Sequence, residues 1–331
     1  MRKKWIRGGI FLCLVLLLLN NLNRILCVKS PHGVDQTRYL YVQPKNKIDV
    51  LFLGSSHVHC NVNTQLLWDE YGMAAYLMTG AEQPLWNSYY NLKEALKTQK
   101  PKLVVLDMFC PSRFYDDFQP GWADENLDGM RISLNKLEAV YTSVQEEQSH
   151  FFLGFTEYHS RYDQLTTEDF QNFVWNRKTQ ERWKGYTPLN RHVELTEPDM
   201  SHVTTSQEMT EKSKEYFEKI VELTKKEGIT LALISGPYLL EERDQKVYNS
   251  IGQLAEKDGL LFWNTNTPAH YREMGLDFST DYADHAHLNK AGGAKYTAYL
   301  GKWLSQNYSF PDRRGQKGYE SWENQLMKSG E

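Results

Sequence analysis

Short runs of apolar residues alternate along this chain with longer segments in which apolar positions recur every three or four residues. Residues 47–53 (KIDVLFL), 74–78, 102–109 (KLVVLDMF), 229–234 (ITLALI) and 260–263 are the short runs. Their hydrophobicity is continuous rather than alternating, which predicts strands buried on both faces. Segments 61–71, 84–98, 206–227, 241–257 and 290–305 have helical spacing; in 84–98, Leu85, Tyr89, Leu92 and Leu96 mark one face. Strands and helices taking turns predict parallel β-α-β units. The expected fold is therefore α/β, a three-layer α/β/α sandwich with about five parallel strands.

The alternation fails between residues 111 and 205, where aromatic and charged residues take over, as in EYHSRYDQLTTEDFQNFVWNRKTQERWKGY. Such a length is far too great for a connection. It predicts a partly helical insertion lying over the edge or mouth of the sheet. The chain beyond 311 is polar, and a loose tail is expected there. The expected division is a segment 1–28 that addresses the membrane, a linker 29–46, a domain 47–310 carrying the insertion 111–205, and a tail 311–331.

The first segment departs from the rest. Residues 1–34 hold Arg2, Lys3, Lys4, Arg7, Arg24 and Lys29 and no acid, around an uninterrupted apolar run over 8–19. A basic head followed by an apolar stretch is the order of a secretion signal. Twelve residues span only about 18 Å as a helix, short of a hydrocarbon core of about 30 Å, which favours a cleaved signal. Against cleavage, no pair of small residues at A-x-A spacing follows, and Trp5, Ile6, Leu22, Ile25 and Leu26 can extend a tilted span. We take the segment as an uncleaved signal anchor, with cleavage and secretion as the alternative. Its positive head stays in the cytoplasm and the body lies outside.

The mean hydropathy of the whole chain, −0.61, excludes a polytopic membrane protein. Beyond residue 34, 32 basic residues face 42 acidic ones. A mildly acidic body has no cationic surplus to neutralise phosphates, which argues against nucleic acid as a partner. Of four cysteines, only Cys60 and Cys110 lie in the body, too few for a disulfide-built scaffold. They stand as a pair or as two free thiols.

Ligands of an open parallel sheet bind beyond the carboxyl ends of its strands. Two short motifs fall where that crevice is expected: Gly54-Ser55-Ser56-His57 after the first strand, and Asp284-His285-Ala286-His287-Leu288-Asn289 before the last helix. A serine hydroxyl is a weak nucleophile until an imidazole takes its proton, and the imidazole needs a carboxylate to hold one tautomer. Ser56, His287 and Asp284 have the right chemistry for those three roles.

LFLGSSH and DHAHLN resemble the first and last blocks of the SGNH (GDSL-like) hydrolase superfamily. With an N-terminal anchor, Gly-Ser-Ser-His is most similar to its extracytoplasmic branch, which includes the teichoic acid D-alanine transfer proteins and the polysaccharide O-acetyltransferases. The resemblance covers the sheet and its helices and leaves the insertion unassigned. It implies a flavodoxin-like fold, with Ser56 as nucleophile, His287 as general base and Asp284 as its orienting acid. It also implies an oxyanion hole from the backbone N–H groups of Ser56 and Gly80. The family's Gly-x-Asn-Asp block is absent: Leu106-Asp107-Met108-Phe109 stands in its place, and Gln83 is a candidate substitute donor.

Each motif has a plainer reading. Gly-Ser-Ser after a strand is also an ordinary turn with a capping hydroxyl, and Asn289 can simply cap the helix it precedes. His57, His159 and Arg161 are candidate substrate contacts, although lone histidines are more often packing residues. A zinc reading would use His57, His59, Asp281, Asp284, His285 and His287, but neither His-x-His-x-Asp-His nor His-Glu-x-x-His occurs. The resulting expectation is a membrane-anchored, extracytoplasmic serine esterase or O-acyltransferase that needs no cofactor and no metal. It would act on cell-envelope polysaccharide or another acylated glycan. Transfer would require a partner such as a membrane-bound O-acyltransferase. The alternatives are a non-catalytic glycan-binding or scaffold module and a metal-dependent hydrolase.

Overall fold

The computed structural model of the chain describes residues 2–27, 30, 32–114, 120–152, 159–171, 181 and 183–323. Five strands, β1 (Val50–Gly54), β2 (Ala75–Thr79), β3 (Leu103–Asp107), β4 (Thr230–Ser235) and β5 (Leu261–Asn264), form one parallel sheet. Their order is β2-β1-β3-β4-β5, and Leu53 is in register with Met78 on one side and Leu106 on the other. Successive side chains of a strand point to opposite faces, so these apolar runs serve two layers at once. Leu51, Leu53, Val104, Leu106, Leu231 and Leu233 pack beneath helices Leu85–Ala95, Glu211–Glu227 and Glu242–Asp258. Val50, Phe52, Leu103, Val105, Ala232 and Ile234 pack against residues of Thr64–Tyr71, Pro268–Met274 and Lys290–Asn307. The three-layer α/β expectation agrees with this arrangement.

The chain leaves β1 for β2 on one side, then returns past β1 to β3 on the other. The strand order reverses at that point, and the crevice beyond the carboxyl ends of β1 and β3 is the topological switch point. Ser56 follows β1 and Asp107 ends β3.

Two boundaries differ from the sequence reading. The expected linker 29–46 holds a helix, Val34–Leu40, that packs into the body. Gly33 donates its N–H to Thr79 O, Gln36 bonds Thr79 and Gly185 through its amide, and the Tyr76 hydroxyl donates to Gln36 O. A buried glutamine satisfying strand groups makes this segment part of the domain. The expected loose tail is also docked, as far as residue 323. Arg313 grips Asp49 through Nε (2.7 Å) and Nη2 (2.9 Å), and Trp322 is wholly buried beside Trp68, its Nε1–H bonded to Ala75 O. Two buried aromatic side chains, Tyr319 and Trp322, outweigh the polarity of their neighbours.

Within 111–205 the described residues include helices Ala123–Leu127, Leu134–Ser143 and Thr167–Gln171. Leu134–Ser143 packs on Leu85–Ala95, and Lys184 O accepts the Leu77 N–H of β2. The N-terminal helix, Arg2–Leu26, has 25 residues, is long and apolar enough to cross a membrane, and leaves Leu12, Leu14 and the run Leu16, Leu17, Leu18 and Leu19 exposed, while Leu26 at its foot is buried. Cys60 and Cys110 are free, buried thiols. Burial pushes the Cys60 thiol up to about 12.

Candidate active site

β1 ends at Gly54, whose φ is +150° and whose added Cβ would sit 2.5 Å from Asp107 Cβ. Glycine here lets the ends of β1 and β3 approach closely. Ser55 then caps the helix Ser56–Asn61: its Oγ accepts the His57 N–H (3.3 Å) and donates to Asp107 Oδ2 (3.1 Å). Ser56 is thereby fixed as the first residue of that helix. Burial pushes the Asp107 carboxyl up to about 7, against the pull of its hydrogen bonds from Ser55, Phe109 and Met108.

The opposing residues come from the loop before Lys290–Asn307. Asp284 Oδ1 accepts N–H bonds from Ala286 (2.9 Å) and His287 (3.0 Å), and Ala283 N–H reaches His287 O. The loop is tied to the Ser56 helix itself, because Leu288 N–H donates to Asn61 Oδ1 at 3.0 Å. Asn289 accepts from Ala291 and Gly292 and caps the helix that follows.

This scaffold sets His287 Nε2 2.7 Å from Ser56 Oγ and His287 Nδ1 2.8 Å from Asp284 Oδ1. With its proton on Nδ1, the ring donates to the carboxylate and presents the Nε2 lone pair to the serine hydroxyl. Burial alone would raise the Asp284 carboxyl, but the His287 bond and charge, the Ala286 N–H and Arg191 together hold it far below the usual carboxylate range. Arg191, from the insertion, donates through Nη2 to Asp284 Oδ2. Nothing in the sequence pointed to Arg191, an exposed charge far from either motif. Ser55, Asn61 and Asp107 were equally unmarked as supports, although Asp107 could have been noticed as the one charge closing an apolar run.

The remaining candidates are placed differently. Gly80 N–H points to Gly54 O at 3.4 Å, a long continuation of the β1–β2 pairing. Gln83 is buried, its amide donating to Met78 O and Ser88 Oγ while its oxygen accepts from Asn91. A side chain occupied on both ends inside the protein does not present a donor to an oxyanion. His57 is buried as well, stacked on Phe109 with ring centroids 3.5 Å apart, edge-on to Tyr238, and 5.5 Å from the His287 ring. Burial, then the neighbouring His287, lowers its pKa, so it stands as a neutral packing ring rather than a substrate contact. His159 is exposed in the turn His159–Asp163. Arg161 is engaged at the foot of the N-terminal helix, with Leu26 O and Asp169, rather than at Ser56.

His59 stacks on His32 and bonds Thr79 Oγ1, so it turns away from His57 into a separate contact. Among the described residues, no three His, Cys, Asp or Glu side chains gather as a group able to hold a metal.

No protein-family model and no curated protein matches the chain. Among solved structures, it is similar to a protein described as an acylhydrolase from Bacteroides fragilis, at 11% identity and TM-score 0.40, over 81% of this chain and 92% of that one. It is also similar to a catalytic mutant of Axe2, an acetylxylan esterase from Geobacillus stearothermophilus, at 11% identity and TM-score 0.39, over 80% and 96%. A second Axe2 mutant, described as an acetyl-xylooligosaccharide esterase, aligns at 12% identity and TM-score 0.38, over 81% and 98%. At these values the functional reading rests on the chain's own atoms.

Proposed function

We propose that this protein is a serine esterase or O-acyltransferase of the SGNH type, held at a membrane by its first helix and acting outside the cell on an acylated envelope polysaccharide. The observation that carries the reading is the pair of hydrogen bonds through one imidazole, from Ser56 Oγ to His287 Nε2 and from His287 Nδ1 to Asp284. Ser56 Oγ attacks the ester carbonyl while its proton passes to His287 Nε2, and the imidazolium so formed is stabilised by Asp284. The developing oxyanion is met by the Ser56 backbone N–H. Collapse breaks the C–O bond of the ester; the departing alkoxide takes the proton back from His287, and Ser56 is left acylated. An acceptor hydroxyl then gives its proton to His287 and takes the acyl group, which restores Ser56.

Water as acceptor makes the protein a deacylase; a sugar hydroxyl makes it a transferase. A small acyl group, acetyl, suits an ester on a sugar. Transfer outside the cell needs an acyl group exported by a membrane partner of the O-acyltransferase kind. The insertion, which supplies Arg191 to the site, is the part suited to shape acceptor access.

A fluorophosphonate should label the folded full-length protein once, on the peptide that carries Ser56, and should leave Ser56→Ala unlabelled. A folded, unlabelled wild type would overturn the reading. Acetyl content of wall polymers from cells with and without the protein then separates the two acceptors, because transfer raises it and hydrolysis lowers it.

A further inference from the structure

At the foot of the N-terminal helix lies a groove of about 450 Å³, lined partly by that helix, with Asn23 and Arg24, and partly by the body. Its described lining includes four cations, Arg24, Arg38, Arg131 and Lys136, against one carboxylate, Asp128. They run from rim to floor: Arg24 and Arg131 are exposed at the mouth, Arg38 is half-buried 3.9 Å from the buried Asp35, and Lys136 lies deepest. The Lys136 side chain is buried, and the Arg131 guanidinium lies 4.1 Å over the Tyr41 ring. Apolar walls complete the groove, among them Phe151, Phe152 and Met130. A cationic floor with greasy walls is suited to a ligand that is anionic at one end and apolar at the other.

The surface beside it has an inverted polarity. Ile132, which lines the groove, is 75% exposed and Leu134 is 77% exposed. Leu137 and Tyr141 continue the same face of helix Leu134–Ser143 at helical spacing, while Asn135 and Lys136 point inward. A water-facing helix carries the opposite pattern. An apolar face contiguous with a cationic groove, both at the exit of a membrane-length helix, matches the layering of a lipid interface, headgroup beside acyl chain.

We infer that this groove binds the headgroup of an anionic phospholipid while the Ile132–Leu134–Leu137–Tyr141 face rests on the bilayer, fixing how the body sits on the membrane. The inference depends on the first helix being an anchor, and not on the chemistry at Ser56. Bilayer lipid is the occupant because the anchor itself forms one wall and so delivers the groove to the headgroup layer.

The test uses the full-length chain in detergent, with native mass spectrometry of lipid adducts. Phosphatidylglycerol should be retained in preference to phosphatidylcholine, and the double variant Arg24→Gln/Arg131→Gln should lose about thirtyfold of that retention. Its melting curve and its turnover of p-nitrophenyl acetate should match wild type. A second variant, Leu134→Ser/Leu137→Ser, touches only exposed positions and should weaken retention without altering the melt. Equal retention of both lipids, undiminished retention by the charge variant, or displacement of phosphatidylglycerol by millimolar inorganic phosphate would overturn the inference; the last would assign the groove to a free anion. Capture of a protein at the apolar face, with lipid retention unchanged by Leu134→Ser/Leu137→Ser, would also overturn it. Failure of the anchor reading is separately visible, as release of the full-length chain from membranes by alkaline carbonate.

Discussion

Arg191 and Asp284 are joined through the carboxylate oxygen that His287 does not use: Oδ2 takes the guanidinium, while Oδ1 takes His287 Nδ1 and two backbone N–H groups. The carboxylate is thus held on both sides, but by unequal partners. Arg191 is 65% exposed, and an exposed ion pair contributes about 0–1 kcal/mol. Arg191→Ala should therefore lower kcat on p-nitrophenyl acetate by less than about tenfold. Asp284→Asn should lower it by about 10³–10⁴, because an amide cannot hold the required tautomer of His287. Effects in the reverse order would assign the anchoring of the imidazole to Arg191.

Ser56 and His287 act as one unit in the proposed chemistry, so their losses should not multiply. Ser56→Ala and His287→Ala should each reduce kcat by about 10⁴ or more, and the double variant should be no worse than the poorer single. Steady-state turnover of the three proteins decides this. A double variant that loses the product of the two factors would show that the residues work separately.

Asp107 gives stability a pH dependence. Its folded pKa, about 7, lies above the ordinary carboxyl value of 3.8. Between those values the folded chain keeps a proton that the unfolded chain has released, so stability falls as pH rises through this window and the deficit is complete above it. The full effect is at most about 4 kcal/mol. Asp107→Asn, which can still accept from the Ser55 hydroxyl, should flatten this part of the profile. Urea unfolding at pH 5 and pH 8 for both proteins checks it, and an unchanged slope in the variant would place the titration elsewhere.

Trp322 is fully buried between the body and the end of the described chain. Trp322→Ala should cost about 3–5 kcal/mol and Arg313→Ala, which removes a bidentate partner from the nearly buried Asp49, about 1–3 kcal/mol. Urea titrations measure both. A tail that merely rests on the surface would leave the midpoint unmoved.

What the sequence reveals and conceals follows from the range of each interaction. The strands are legible because each is a local apolar run ending near glycine or a polar cluster, and the two motifs are legible because their residues are close in the chain. Ser56, His287 and Asp284 could be paired in advance only through the topology, which brings positions 231 apart to hydrogen-bonding distance. Arg191, Gln36 and Trp322 carry no local signal. Each matters through one distant partner, so a polar segment around it reads as linker, insertion or tail. Gln83 failed as a donor for the same reason, since its orientation is set by Ser88 and Asn91 on the next helix, which proximity to the mouth of the sheet cannot reveal.

The docked tail also guards a flank. β2 is the outermost strand on its side, and its outward groups at Ala75, Leu77 and Thr79 are taken by the Trp322 indole, Lys184 O and the Gly33 N–H. Three pieces of chain, from the start, the middle and the end, share the work of hiding one rank of hydrogen-bonding groups. Clipping any of them would uncover a template for a neighbouring molecule's strand, so the cost of a proteolytic nick near residue 311 would be paid in self-association as well as in stability.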